Sequence, residues 1–365
     1  MSLHTYKCPS CGAPLKWEPS AGRIACDYCN GSFSVEEVEN FNQELQAKEE
    51  AAIAAETGPD KASLGESDQQ ALGQDQLKTY VCNSCGAELV TDASTSATFC
   101  YYCHSPLLLV DRLSGKFKPD RVIPFQISKE KAQETFRAWA SQKKYAPRGF
   151  SSESQLEKMT GVYLPVWLAR VKNSLDFQGQ GRVTKRLDSQ RESIETYDIS
   201  RQGDLALDNL LQTAFSSGDK IKPEAFESIA NFRWEDSVPF SPAYLSGYYA
   251  ELWSVSPEEA GQDATQRSKD LAHNELMAAL HAQYDSFNLA RDAVAAKLDH
   301  LDYVLAPAWA LTFKFGQDTY LYVMNGQTGQ IYGEVPLDKV RAWRSGGLIA
   351  AIILILLLLG GYFIW

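Results

Sequence analysis

The chain has no Walker loop, no HExxH pair and no GxSxG elbow. These absences remove a helicase working alone, a zincin-type protease and an α/β-hydrolase from consideration. Histidine is scarce: His4, His104, His273, His281 and His300 are the whole supply. His273 and His281 fall two turns apart on a helical stretch, near Glu275 and Asp285, and read as a solvated face. His104 follows Cys103 and reads as a surface histidine. Acidic and arginine side chains are scattered through 182–236 without pairing, and no catalytic set is expected. Met1–Pro9 has no apolar core, so no secretory leader is expected there. Nor is any cysteine left over.

What is present begins with those cysteines. Cys8, Cys11, Cys26 and Cys29 are separated by two, fourteen and two residues, and Cys82, Cys85, Cys100 and Cys103 repeat the intervals. Two facing CxxC knuckles make a four-thiolate cage that suits a structural Zn²⁺, with no open position for metal catalysis. Two such ions are expected, one per frame. The same four thiolates fit a rubredoxin-like iron, and spacing does not separate the two metals. A disulfide framework needs an oxidising compartment, which nothing here implies. Redox CxxC chemistry is disfavoured because all four motifs pair off by spacing. Gly12, Asn30–Gly31 and Gly86 supply tight turns under the sulfurs. The runs Leu15–Trp17, Ile24–Ala25, Phe99 and Leu107–Val110 are short and strand-like, which makes each frame a zinc ribbon. So small a unit buries too little apolar surface to fold without its ion.

The net charge of −11 is unevenly spread, because residues 35–78 hold eleven acidic and three basic side chains. Nucleic-acid affinity needs clustered Lys and Arg. The first ribbon offers Lys7, Lys16 and Arg23, and the second has none between Val81 and Asp111. Nucleic acid is therefore not the expected partner. The aromatics Trp17, Tyr28, Phe33, Tyr101 and Tyr102 read first as packing in a small core and second as a protein-contact surface.

The expected organisation is α+β and multidomain. Ribbon one covers 1–34, an acidic helix and linker 35–78, ribbon two 79–115, an α+β domain 116–338, a basic segment 339–345, and a transmembrane helix 346–365. Val35–Glu56 reads as an exposed helix and 57–76 as flexible linker, so the ribbons are expected on a movable tether. Ser128 caps a helix to about Lys143. Ser256–Pro257–Glu258–Glu259 opens a second helix expected to reach about Lys297. Strands are expected over Arg121–Phe125, Gly161–Phe177, Ser193–Leu207, Tyr303–Phe315, Thr319–Met324 and Gln330–Glu334. Asn325–Gly329 is a hairpin turn rather than a phosphate loop. A short echo links Ile123–Pro124–Phe125 and Leu164–Pro165–Val166–Trp167 with Val238–Pro239–Phe240 and Ala306–Pro307–Ala308–Trp309. It implies an α+β domain of two related halves.

Gly346–Trp365 carries no charge, and Leu348–Leu359 is an unbroken apolar run. Twenty helical residues span about 30 Å, the thickness of a hydrocarbon core. Lys339, Arg341 and Arg344 precede the run, which places the soluble part in the cytosol by the positive-inside rule. The sequence thus points to a single-pass protein of the cytoplasmic membrane.

The paired ribbons, Val122–Phe125 leading into Ser128–Glu130, Gly161–Trp167, Pro239–Gly247, and Asn325–Gly329 followed by Gly333–Pro336 carry a resemblance. The chain resembles bacterial membrane-anchored proteins with transcription factor IIB-type zinc ribbons. Such proteins are often labelled after a primosomal helicase on ribbon similarity alone, a label that the missing ATPase motifs oppose. The resemblance implies a non-enzymatic adaptor, with the eight cysteines as metal ligands. It also implies flotillin-like or phage-shock protein A-like partners at the membrane. The alternative is a membrane-tethered regulator that binds nucleic acid or RNA polymerase.

Overall fold

The computed structural model describes every residue except 1–2, 57–77, 83–84, 86, 92–93, 101–102, 110–112, 114, 148, 187–191, 216–220 and 365; the expected linker lies outside the described residues. The first ribbon contains β1 (Leu3–His4), β2 (Lys16–Glu18), β3 (Arg23–Ala25) and β4 (Ser32–Phe33), followed by α1 (Val35–Glu56). Ser34 and Glu37 form a capping box at the start of α1, each side chain receiving the other's backbone N–H. The helix is not exposed all round. Val38 is fully buried, and Asn42 accepts from the Lys7 amide at 2.8 Å while donating to the Val38 carbonyl.

The second ribbon contains β5 (Lys78–Val81), β6 (Glu88–Thr91), β7 (Thr95–Phe99) and β8 (Pro106–Leu109). The body then runs β9 (Arg121–Val122), α2 (Lys129–Ser141), α3 (Glu153–Leu156), β10 (Thr160–Arg186), β11 (Glu192–Thr213), α4 (Pro223–Glu227), β12 (Val238–Pro239), β13 (Tyr249–Glu251), α5 (Pro257–Gln283), β14 (Ser286–Phe315), β15 (Asp318–Asn325), β16 (Ile331–Gly333) and α6 (Lys339–Ile364). The fold is mixed α+β.

One sheet joins most of these elements in the order β1-β8-β7-β13-β10-β14-β15-β16. Strands β7 and β8 of the second ribbon are therefore part of the main sheet and β1 of the first ribbon forms its edge, while β2-β3-β4 and β5-β6 make two small sheets of their own. Heads free to move on a tether, as the sequence implied, are not what the structure has: pairing from Ala97 to Ala250 and from Leu3 to Leu109 fastens both ribbons to the body.

The echoing motifs meet. Leu164 pairs with Ala306 and Tyr163 with Pro307 in the antiparallel β10–β14 ladder, and Val122 pairs with Val238. Trp167 Nε1 donates to the Val255 carbonyl, just before the Ser256 cap of α5, at 3.0 Å. Trp309 Nε1 donates to the Ile127 carbonyl, just before the Ser128 cap of α2, also at 3.0 Å. The Pro165 carbonyl receives the Ala214 amide, whose own carbonyl receives Ser254 and Val255. The Pro307 carbonyl receives Gly326, whose carbonyl receives Gln126 and Ile127. Each tryptophan thus holds the helix start of the other half. Gly326 is required by close approach, because a Cβ there would stand 2.6 Å from the Phe125 ring.

α5 ends at Gln283, and 286–297 is strand where the sequence implied continuing helix. Tyr284 adopts an extended backbone, and β14 then pairs with β10 from Ser286 onward. The Ala-rich stretch 290–297 has helical propensity, but ladder pairing across more than a hundred residues outweighs that weak local preference. From Arg170 to Arg186, β10 runs roughly 55 Å at about 3.3 Å per residue. With β11 and β14 it forms a three-stranded arm covered on one face by α5. Small residues Ala260, Gly261, Ala264, Ser268 and Ala272 let α5 lie close. Its register is fixed by a buried reciprocal pair, in which Asn173 Nδ2 donates to Ser268 Oγ at 2.8 Å and Ser268 Oγ donates to Asn173 Oδ1 at 3.2 Å.

The tail is helical over Lys339–Ile364. Among the described residues no helix is long and apolar enough to cross a membrane. The expected span 346–365 falls partly outside them, since the side chains of 345, 348 and 355–365 are not described.

Candidate metal centres

Each tetrad is assembled by two turns of one kind, four in all. The amide of the knuckle's first cysteine donates to the carbonyl five residues on: Cys8 to Ala13, Cys26 to Gly31, Cys82 to Ala87 and Cys100 to Ser105, at 2.8–2.9 Å. The residue four positions after that cysteine is left-handed at Gly12 (φ 75°), Asn30 (φ 55°) and His104 (φ 55°). His104 is on the surface, as expected, but its position has a backbone role that the sequence did not reveal. Its amide donates back to the Cys100 carbonyl at 3.0 Å. Histidine is among the side chains that tolerate this region, but any Cβ there carries a cost that glycine avoids. His104→Gly is expected to stabilise the second ribbon by about 0.5–1 kcal/mol, read as a higher chelator concentration needed to strip that site.

The eight predicted ligands converge as two closed groups. Within each, all four sulfurs lie within 4.8 Å of one another. Cys8 Sγ and Cys29 Sγ are 3.6 Å apart, as are Cys11 and Cys26; Cys82–Cys103 is 3.7 Å and Cys85–Cys100 is 3.6 Å. Four sulfurs about 2.3 Å from one tetrahedral ion stand about 3.8 Å apart, so both cages fit. A disulfide is about 2.05 Å long, and every cysteine here is free.

Electrostatics argue the same way. The Ala13 backbone favours the Cys11 thiolate, but burial and the sulfurs of Cys26, Cys29 and Cys8 outweigh it and push the thiol up to about 12. Burial raises Cys26, yet amides of Cys29 and Tyr28 and the neighbouring thiols bring it down to about 7. In the second tetrad Cys85 is pushed up to about 12, although the Ala87 backbone favours its thiolate. Burial raises Cys103, while the Ser105 hydroxyl and amide hold it at about 6. The sulfurs do not all ionise side by side unless a dication shares the cage. Cys8, Cys26, Cys82 and Cys100 are buried, and the other four sit on the outer side. The cages are compatible with zinc or another thiophilic ion, and the donor set does not name the metal.

The first cage is held against the body by Trp17. This side chain is 7% exposed, donates from Nε1 to the Phe125 carbonyl at 3.0 Å, and meets the Tyr244 ring at 4.9 Å. The Trp17 amide donates to the Ser246 carbonyl at 2.9 Å. Phe125 in turn stacks on Tyr248 at 4.1 Å and touches Tyr163 and Trp309. Trp17 is therefore a packing residue, whereas Tyr28 stands 79% exposed on the Cys26–Cys29 knuckle. Phe33 is half-buried, and Tyr101 and Tyr102 lie outside the described residues. His273 pairs with Asp292 at 3.2 Å on the arm, and His300 with Asp302 at 2.8 Å; neither lies in a cage.

No protein-family model matches this chain, and no solved structure matches it. It is similar to the uncharacterized protein YdjG of Bacillus subtilis (strain 168), with 31% identity over 368 residues, 98% of this chain and 99% of YdjG. Alignment over nearly the whole of both chains takes in the ribbons, the arm and the tail alike, so this chain belongs to the same family as YdjG.

Proposed function

We propose that this protein is a non-enzymatic, tail-anchored membrane adaptor of the transcription factor IIB-type zinc-ribbon kind, with one structural zinc in each cage. The observation that carries this reading is the closure of both tetrads. Four thiolates around each ion leave no coordination position for a substrate, so the metals serve to shape a surface. That surface is held to the body because β1, β7 and β8 of the ribbons join its sheet and Trp17 of the first ribbon packs against the Phe125 cluster. Tyr28, apolar and exposed on a metal-bound knuckle, is the residue best placed to enter a partner's pocket. The uncharged stretch 346–365 after Lys339, Arg341 and Arg344 supports insertion with the folded part in the cytosol. The resemblance supplies the class of partner: a flotillin-like or phage-shock protein A-like protein at the membrane.

The test is capture of such partners by full-length protein from detergent-solubilised membranes. Tyr28→Ala is expected to lower recovery about tenfold, the effect of a typical exposed aromatic anchor, with metal content unchanged. Undiminished recovery from Tyr28→Ala would remove this knuckle from the reading. Full-length protein found wholly in the soluble fraction would remove the anchor.

A further inference from the structure

The loop that follows α2 is clamped to the start of α6, although nearly two hundred residues separate them. The Asp338 amide donates to the Tyr145 carbonyl at 2.9 Å, and Arg341 Nη1 donates to the Ala146 carbonyl at 3.2 Å. Asp338 is also the helix cap, its Oδ1 receiving the Arg341 amide at 3.0 Å. The clamp fastens the segment that carries Lys143 and Lys144 to the base of α6, which carries Lys339, Arg341 and Arg344. No acid occurs in 142–152, and Asp338 is the only one from 338 to the last residue. Several cations elsewhere in this acidic chain are matched by carboxylates, as in Lys172–Asp299, Arg170–Asp208, Arg291–Asp176 and Lys185–Glu195. Among the described residues, none of the five clustered cations forms an ion pair. Lys143 Nζ lies over the Trp139 ring and Lys144 Nζ over the Tyr145 ring. Exposed apolar side chains share the same place: Leu337 at 53%, Val340 at 62% and Trp343 at 81%.

We propose that the loop 143–147 and the first two turns of α6 form one contact surface for the anionic headgroups of a bilayer. The inference rests on the anchor proposed above, and it adds that the folded body, through a loop distant in sequence, also touches the membrane. The chemistry is complementary. Cations near an anionic leaflet are each worth about fivefold in attachment, and a tryptophan with apolar neighbours belongs at the headgroup level. Continuity with the uncharged helix fixes which way the patch faces.

Full-length protein is placed in nanodiscs of phosphatidylcholine alone or mixed with phosphatidylglycerol, and amine acylation of each lysine is followed by mass spectrometry. Acylation of Lys143, Lys144 and Lys339 is expected to slow about fivefold in the anionic discs, with Lys269 and Lys297 on the arm unchanged. High salt is expected to abolish the difference. Equal rates in the two discs, or slowing shared by the arm lysines, would overturn the surface while leaving the anchor standing. Failure to enter either disc would overturn the anchor and this surface with it.

Discussion

Removing the ion from the second ribbon is expected to loosen the main sheet well beyond the ribbon itself. Strands β7 and β8 lie between β1 and β13, so the cage that fixes Cys100 and Cys103 also fixes the ladder on either side. Structural zinc supplies on the order of 10–16 kcal/mol in small ribbons, as much as the whole stability of an ordinary domain. Even partial loss of about 5 kcal/mol lowers the melting temperature by at least about 10 °C in a body of this size. Chelation under reducing conditions, or Cys100→Ser, is expected to produce that fall. Faster amide exchange is expected in Tyr249–Glu251 and Leu3–His4 as well as in the ribbon. Metal analysis should find two equivalents per chain in the native protein and one in the variant. Purified protein without metal, or exchange at Tyr249–Glu251 indifferent to chelation, would contradict the arrangement.

The second large effect belongs to Trp17→Ala. The side chain fills the junction between the first ribbon and the aromatic cluster around Phe125, and truncating a buried tryptophan costs about 3–5 kcal/mol. The Phe125 carbonyl would also lose its donor. Trp17→Phe separates the two contributions, because it keeps most of the packing and sacrifices the hydrogen bond, at about 1 kcal/mol. Denaturant unfolding is expected to rank native above Trp17→Phe above Trp17→Ala. Amide exchange in α1 should quicken in the alanine variant, since α1 packs on the same ribbon. Equal midpoints for all three proteins would show that the ribbon is not seated through this residue.

Local chemistry was legible. The two cages, their knuckle turns, the Ser128 and Ser256 caps and the extent of α1 all follow from contacts within a few residues of one another, which a linear pattern records. The hairpin turn at Asn325–Gly329 belongs with them. The end of α5 was not legible. Ala290–Lys297 has the composition of a helix, and only a partner strand beginning a hundred residues earlier makes it sheet. The left-handed turn at His104 was hidden because histidine marks such turns far more weakly than glycine; the equivalent places of Gly12 and Asn30 in the first ribbon were the available signal.

By itself the sequence determined which eight cysteines gather and their division into two groups of four, because sulfur spacing and turn chemistry are short-range. Only the tertiary structure decided that strands of both ribbons join the main sheet, that the motif tryptophans exchange hydrogen bonds between halves, and that the segment bearing Lys143 and Lys144 is fastened to the base of α6. Those outcomes depend on ladders such as Val166 with Val304, whose loop-closure cost is repaid only when both halves fold together.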